Sequence, residues 1–552
     1  MLVNIGAKYL RYHYPLFTPL ICILGRFKNK IINIPHKGIF LLYIIQLHFM
    51  GYILLILFWL GWHIGIYLML KKAGVASAKA IIPIYNTWEV VNLCGISKVW
   101  FWIQLIPILG QFVTLWISII FVMHFKRVGL LQHILTVFVP FIYLPYLGLS
   151  ANERWHGKDA LQHYHKSASR EWVDAAVFAI VAATLIRTFI FEAYVIPTES
   201  MEKTLLVNDF LFVDKITYGA RIPQTPVSFP FVHNTLPMAP TTPSYIKWVQ
   251  LDYNRLPKVR GINRNDVVVF NFPAGDTIIN LTDFGSKIPY YDVLRSPEYA
   301  NNREKLLNDY PILVHPVDKT DNYIKRCVGI PGDIIEVKGS HLWVNGQPGF
   351  VAPYSQTEFI VQTNGTPIPE DYIQDSLGIN INDASSDFQI IEGSVHTFKI
   401  NMTANAAENL KKLPQVLSVT YFDENTVGYT FPYDMAHFPW SVDNYGPIRI
   451  PKQGDVVQLN DSTIELYRRL ISNYEHNNLE VKEGKYYING VATATYTVKQ
   501  NYYWMMGDNR HRSQDSRYWG YVPETHIVGR AALIWFSYSK SIRWNRLFSQ
   551  IK

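Results

Sequence analysis

Residues 172–200 read WVDAAVFAIVAATLIRTFIFEAYVIPTES, and the chain changes character across them. As far as Phe191 the stretch is apolar. Only Asp174, near its start, and Arg187, about two turns from its end, interrupt it; a long side chain at that depth still reaches the headgroups. A run of about 20 such residues crosses roughly 30 Å of hydrocarbon. A buried soluble helix is the alternative. Past residue 193 the chain turns to short β-type runs broken by Gly, Pro and Asn, so the fold divides here into a helical part and a β-rich part.

Upstream, Gly51–Leu70 carries no charge, and Val99–His124 and Val128–Leu149 are further candidate spans. Only 17% of the 552 residues are charged, against about a quarter in soluble proteins, which fits a membrane-embedded first third. Basic loops set the orientation. Lys71, Lys72, Lys79 and Lys98 follow the first span, and Arg154, Lys158, Lys166 and Arg170 precede the fourth. Putting both loops inside sends residues past 193 outward, but leaves the Lys126–Arg127 turn on the wrong side. The basic residues of 1–49 (Lys8, Arg11, Arg26, Lys28, Lys30, Lys37) conflict as well. Either Tyr14–Gly25 dips into the bilayer or translation starts at Met50, the second being the reading preferred here.

The outer part is expected to be built from hairpins. Asp266–Phe272, Asp333–Val337, Asp455–Leu459 and Tyr502–Met506 read as strands. Ile335–Gly346 (IEVKGSHLWVNG) is echoed by Leu479–Gly490 (LEVKEGKYYING), each a strand, a turn and a second strand ending in Asn-Gly, a favourable hairpin turn. Thr463–Asn477 carries the one convincing late helical pattern. The plan is a basic extension (1–49), a three-span region (50–150), a linker (151–171), an anchor (172–192), a β-domain in two parts (193–349 and 441–540) and an inserted lobe (350–440). Net charge is +8 without a long basic tract, so nucleic acid is not expected. Cys22, Cys94 and Cys327 make no disulfide framework. Neither Cys-x-x-Cys nor His-Glu-x-x-His occurs, so no metal or other cofactor is expected, and His315 and His341 read as structural or solvated.

Three segments hold the informative polar groups. Ser200 follows the anchor by about ten residues, within Ile196-Pro-Thr-Glu-Ser-Met201; taken alone it reads as a solvated hydroxyl or a cap. Asp321–Asp333 contains Lys325 in an alternating run, so one of Lys325 and Arg326 should face inward. An inward lysine loses hydration and its pKa falls, although most such residues only snorkel or pair with a carboxylate. Met506–Gly520 is dense in turn formers and charges, and alone reads as a surface loop tied by Asp515 and Arg517.

Together the segments resemble type I signal peptidases, membrane-anchored serine proteases, and look like the larger ones of Bacteroidetes-type bacteria. The matches are Ser200-Met201, the strand Asp266–Phe270, Tyr323-Ile-Lys-Arg-Cys-Val-Gly-Ile-Pro-Gly-Asp333, and Gly507-Asp-Asn-Arg with Ser513, Asp515, Arg517 and Trp519-Gly520. They occur in the family's order over about 190–345 and 440–537. The resemblance implies a mixed fold: an N-terminal α-helical transmembrane region, then a mostly-β periplasmic catalytic domain with an inserted lobe. It implies Ser200 as nucleophile and Lys325 as general base. Thr198 and the Ser200 N–H would hold the oxyanion, Ser513 would orient the lysine, and Asp515 and Arg517 would brace the site. The implied substrates are signal-peptide-bearing preproteins cut after small residues, at the outer face of a bacterial inner membrane crossed several times. The bilayer is a partner, and the export machinery a candidate one. Ile196, Met201 and Phe270 are guesses for pocket walls. Aromatic groups between about 225 and 250, with Trp519 and Trp535, either rest on lipid or form core. Two departures stand out: Glu199 where a small residue is common, and Asn265 where many relatives carry Gly. Rival readings are a non-catalytic receptor or assembly factor, and another Ser/Lys peptidase such as a self-cleaving repressor.

Overall fold

The computed structural model describes residues 56–552, apart from 107–108, 163, 274–276, 282–283, 382–385, 392 and 395. The readings placed on residues 1–49, and the start of the expected span at Gly51, lie outside the described residues. The chain divides between Glu171 and Trp172 into two compact units.

The first unit is helical. Residues 56–72 form a helix whose Ile66, Met69 and Leu70 are buried with Val91, Ile117, Phe121 and Leu144. The expected spans 99–124 and 128–149 are not straight helices. The former is Val99–Gln104 and Leu109–Met123, with Pro107 in the sequence between them. The latter bends by 117° between Leu130–Phe138 and Pro140–Leu149. Proline lacks an N–H and disfavours the helical region for the residue before it; Val139 accordingly sits at φ −133° and ψ 40°. Among the described residues, only Ala168–Phe189 is long and apolar enough to cross a membrane by itself, the bent pair adding a second only if it is one span.

Arg127 Nε donates to both oxygens of buried Glu153 (3.1 and 3.0 Å), so the chain before the bent pair meets the chain after it. Lys72 Nζ donates to the carbonyls of Leu147 and Glu153, each at 2.9 Å. The basic segments at 71–72 and 126–127 therefore share one end of this unit.

The second unit, Trp172–Lys552, opens with the greater part of the helix Ala168–Phe189, none of whose apolar window is buried. The main sheet follows, with strands β1 (Phe191–Val195), β2 (Asp209–Asp214), β3 (Val267–Asn271), β4 (Asn322–Gly329), β5 (Tyr502–Met506), β6 (Val522–Pro523), β7 (Ile527–Ser537) and β8 (Ser549–Gln550). The order is β1-β2-β7-β3-β4-β5-β6, with β8 beside β7, and every pairing is antiparallel. All five residues of β3 are buried, since both faces of the sheet are covered; this is why DVVVFNF shows no alternation. One face packs Val268, Phe270, Cys327, Met505 and Trp519; Ile196, Met201, Leu211 and Val267 form another cluster.

The two echoed segments fold alike. Ile335 pairs with Val344 through to Lys338 with His341, and Leu479 pairs with Ile488 through to Lys482 with Lys485. Their two-residue turns have positive φ at both positions, 52° and 68° at Gly339-Ser340 and 51° and 70° at Glu483-Gly484, the geometry matched to strand twist. Between the hairpins, Gln356–Thr363, Phe388–Ile390, Thr397–Thr403 and Val416–Tyr421 make a four-stranded sheet with its own core around Phe359, Ile400 and Met402. Thr463–Asn477 is helical at Ile464–Arg469 and widens to a π-turn over Leu470–Tyr474. Short helices that went unread include Tyr290–Arg295, Arg303–Asp309 and Ala404–Leu410.

Candidate active site

Lys325 and Arg326 are adjacent on β4, so their side chains leave opposite faces of the sheet. Only one of them was expected inside, yet both are buried, at 3% and 1% exposed, because neither face meets water. Lys325 stands opposite Val268 of β3, on the face it shares with Tyr323 and Cys327. Its Nζ lies 2.8 Å from Ser200 Oγ and donates to Ile324 O at 3.0 Å; the Tyr323 ring is 5.4 Å away. Burial pulls its pKa from 10.5 down to about 8, against the opposing pull of the Asp515 and Asp508 carboxylates. A hydroxyl beside an amine of lowered proton affinity is what an activated nucleophile and its base require.

Ser200 sits in the single turn Glu199–Met201 and is buried. The chain after β5 clamps this turn. Asn509 N donates to Ser200 O (3.1 Å), Asn509 Nδ2 to Glu199 O (3.1 Å) and Asp508 N to Met201 Sδ (3.3 Å). Gly507 has no room for a side chain, since a Cβ there would lie 2.2 Å from Ser513 Oγ and 2.5 Å from Ser200 O. Asp508 is fully buried and binds Arg326 through both carboxylate oxygens (2.8 and 2.6 Å), while Thr204 Oγ1 donates to it at 2.7 Å. Arg326, Asp508 and Asn509 were missed as site residues; an Arg directly after the lysine and a carboxylate in the late motif were the available signal.

The other expected residues fall as follows. Asp515 and Arg517 are not surface groups: they are 0% and 1% exposed and paired at 2.9 and 2.8 Å. Asp515 also accepts from Gly507 N (3.2 Å). The arginine beside it holds the Asp515 carboxyl below its ordinary range, although burial alone would raise it. Ser513 is buried against Gly507, and its hydroxyl has no hydrogen-bond partner among the described residues; it is not bonded to Lys325. Thr198 is exposed and extended, just before the Ser200 turn. Ile196 and Met201 are brought together under that turn, whereas Phe270 belongs to a separate cluster with Phe272, Tyr323 and Trp519. Trp519 is core at 3% exposed, while Phe229, Phe231 and Trp248 are 61%, 56% and 83% exposed.

Both departures have physical reasons. Asn265 has φ 73°, a conformation that Gly or Asn takes most readily, and its carbonyl accepts from Arg326 (2.8 Å). Glu199 faces Arg512 (3.5 Å), which also reaches Asp387 of the lobe sheet region (3.4 Å). That lobe is tied to the late motif: Gln356 N donates to Asp508 O, and Arg510 N to Gln356 O, both at 2.8 Å. His511 accepts from Glu358 N on Nδ1 (3.1 Å), so its Nε2–H faces Asp443 (2.8 Å). This is a structural strut.

The chain is similar to known proteins over most of its length. Residues 169–396 and 447–536 match the family model "Signal peptidase, peptidase S26", reaching beyond position 345 into the lobe. Residues 78–158 match a "Family of unknown function (DUF5684)". Signal peptidase I of Buchnera aphidicola subsp. Acyrthosiphon pisum is 25% identical over 387 residues, 68% of this chain and 80% of that protein. That of Haemophilus influenzae is 26% identical over 395 residues, 70% and 77% of the two chains. Signal peptidase I of Aquifex aeolicus is 52% identical over 42 residues, 8% and 16% of the two.

Proposed function

We propose that this chain, which belongs to the signal peptidase family, peptidase S26, and is a serine-type signal peptidase, works with Ser200 as nucleophile and Lys325 as its general base. The carrying observation is the 2.8 Å approach of a fully enclosed lysine amine to a serine hydroxyl. The neutral amine takes the Ser200 proton as Oγ attacks the scissile carbonyl, then returns it to the departing amine. The same amine then draws a proton from the water that hydrolyses the acyl-enzyme. The Ser200 N–H and the Thr198 hydroxyl face the oxyanion, where loss of one donor costs roughly 10²–10³ in rate. Asp515–Arg517 and Asp508–Arg326 fix the frame, and Ser513 steadies the amine once substrate has closed over it.

The substrate is a preprotein whose cleavage segment lies extended. Among the described strands β1 pairs only with β2, and β5 joins β4 only from Arg326 onward, so Asn322–Ile324 offer a free edge beside Ser200. An extended chain adds to such edges through its backbone. Ala168–Phe189 is the anchor: it is apolar, unburied, and followed by β1 after a single residue. Such an anchor keeps the serine close to the bilayer, and the basic residues before it (Arg154, Lys158, Lys166, Arg170) support reading that side as the outer face of the inner membrane, where a signal peptide arrives with its apolar segment in lipid. Small pockets near Ile196 and Met201 would admit alanine-sized residues before the cut.

Incubating the detergent-solubilised protein with a secretory precursor tests this. The expected product begins at the residue after a small side chain, as read by mass spectrometry. Replacing the small residue just before the cut by phenylalanine should lower kcat/KM by roughly 10–200-fold. Absence of a cut, or indifference to the phenylalanine, would refute the proposed specificity.

A further inference from the structure

A cavity of about 200 Å³ lies at the end of the helix Ala168–Phe189. Thr184, Arg187 and Thr188 of its last turns form one wall; Lys215, Arg221 and Lys319 line it further in. Two carboxylates share the space. Glu192 is committed to Arg187 (2.6 Å) and Lys215 (2.8 Å). Asp318 accepts from Thr225 N and Oγ1 through one oxygen (2.9 and 3.0 Å), while its other oxygen is buried without a partner. Four cations against two carboxylates leave the cavity positive. The surplus rests on Lys319 and on Arg221, which among the described residues donates to Thr525 O and Asn271 Oδ1 and to no carboxylate. Lys319 is 8% exposed; its ammonium lies 5.7 Å from the Tyr245 ring and is drawn electrostatically to Asp318. A buried ammonium is costly unless closely paired; burial depresses its proton affinity, and the pull of Asp318 offsets that only in part. At the rim stand Phe229 and Phe231, both largely exposed.

We propose that this cavity binds the phosphodiester headgroup of an anionic glycerophospholipid. Lys319 and Arg221 donate to the phosphate oxygens, a headgroup hydroxyl donates to the bare oxygen of Asp318, and the acyl chains leave past Phe229 and Phe231 alongside the helix. Free phosphate offers the same anion, but the membrane helix forming one wall favours the lipid. The inference rests on reading Ala168–Phe189 as the membrane anchor. Its consequence is a catalytic unit held at a fixed height on an anionic bilayer.

The test uses the full chain, delipidated in detergent, titrated with phosphatidylglycerol, phosphatidylcholine or inorganic phosphate and followed by native mass spectrometry and thermal midpoint. One phosphatidylglycerol is expected to stay bound and raise the midpoint. Lys319→Met and Arg221→Gln should each weaken it about fivefold or more. Thr184→Glu, which puts a negative charge on the cavity wall, should weaken it likewise, with the midpoint of each variant without lipid as the check that it is folded. Ser200→Ala should bind as the wild type does, so that a failure of the peptidase reading and a failure of the lipid site are told apart. Equal retention of phosphatidylcholine, indifference to all three cavity variants, or an equal midpoint rise with inorganic phosphate would overturn the lipid assignment.

Discussion

Replacing Lys325 by methionine should lower kcat/KM on a preprotein by about 10⁴-fold while the protein stays folded. Ser200→Ala should fall as far. The double variant should fall no further, because a nucleophile and its base act as a unit. Methionine suits the test because it fills nearly the space of the lysine stem between Val268, Tyr323 and Cys327. Stability should move the other way. Burial holds the folded-state pKa near 8 against 10.5 in the open chain, a cost of about 3 kcal/mol that is fully present below pH 8. The native state sheds its proton first, so wild-type stability rises between about pH 8 and 10.5. Lys325→Met should lack that rise and be at least as stable at pH 7. Guanidinium denaturation at the two pH values measures this; a variant that is several kcal/mol weaker at pH 7 would show that the amine is not held at a cost.

The second large effect lies one residue along the strand. Arg326→Met leaves the Asp508 carboxylate enclosed without its partner, and breaking one side of a buried pair costs roughly 3–5 kcal/mol. Activity should fall as well, because Asp508 is the post to which Thr204 of the nucleophile loop is tied. Adding Asp508→Leu should recover much of the stability, since an apolar pair avoids the desolvation cost, without recovering activity. Denaturation midpoints decide the first point. A loss under about 1 kcal/mol for Arg326→Met would mean that the pair is no more than a surface ion pair.

The sequence exposed the parts of this molecule that depend on local chemistry. The Asn345-Gly346 and Asn489-Gly490 turns were legible because both positions take positive φ (54° and 73°, 52° and 83°), which Asn and Gly adopt most readily. Ser200, Lys325, Ser513, Asp515 and Arg517 were legible because their motifs keep a family's spacing. What escaped depends on tertiary enclosure. The lone-residue reading of Asp515–Arg517 as a surface tie fails because β5 and the helix Ser516–Trp519 carry the pair into the core. The burial of Lys325 and Arg326 together needs both faces of the sheet covered, which one alternating run cannot announce. Helix Arg303–Asp309 has an Asn302 cap accepting from Lys305 N, a readable start, but seven residues give too little period to recognise. Straight spans were read across Pro107 and Pro140 because hydropathy ignores the backbone proton that proline lacks.

The most direct measurement is the pH dependence of kcat/KM for a short signal-peptide substrate, which reports the protonation of the free enzyme. The account predicts that the rate climbs about tenfold per pH unit and levels off near pH 8, as the amine beside Ser200 loses its proton. A profile that is flat through pH 7, or that keeps climbing to about 10 as for an ordinary lysine, would contradict it.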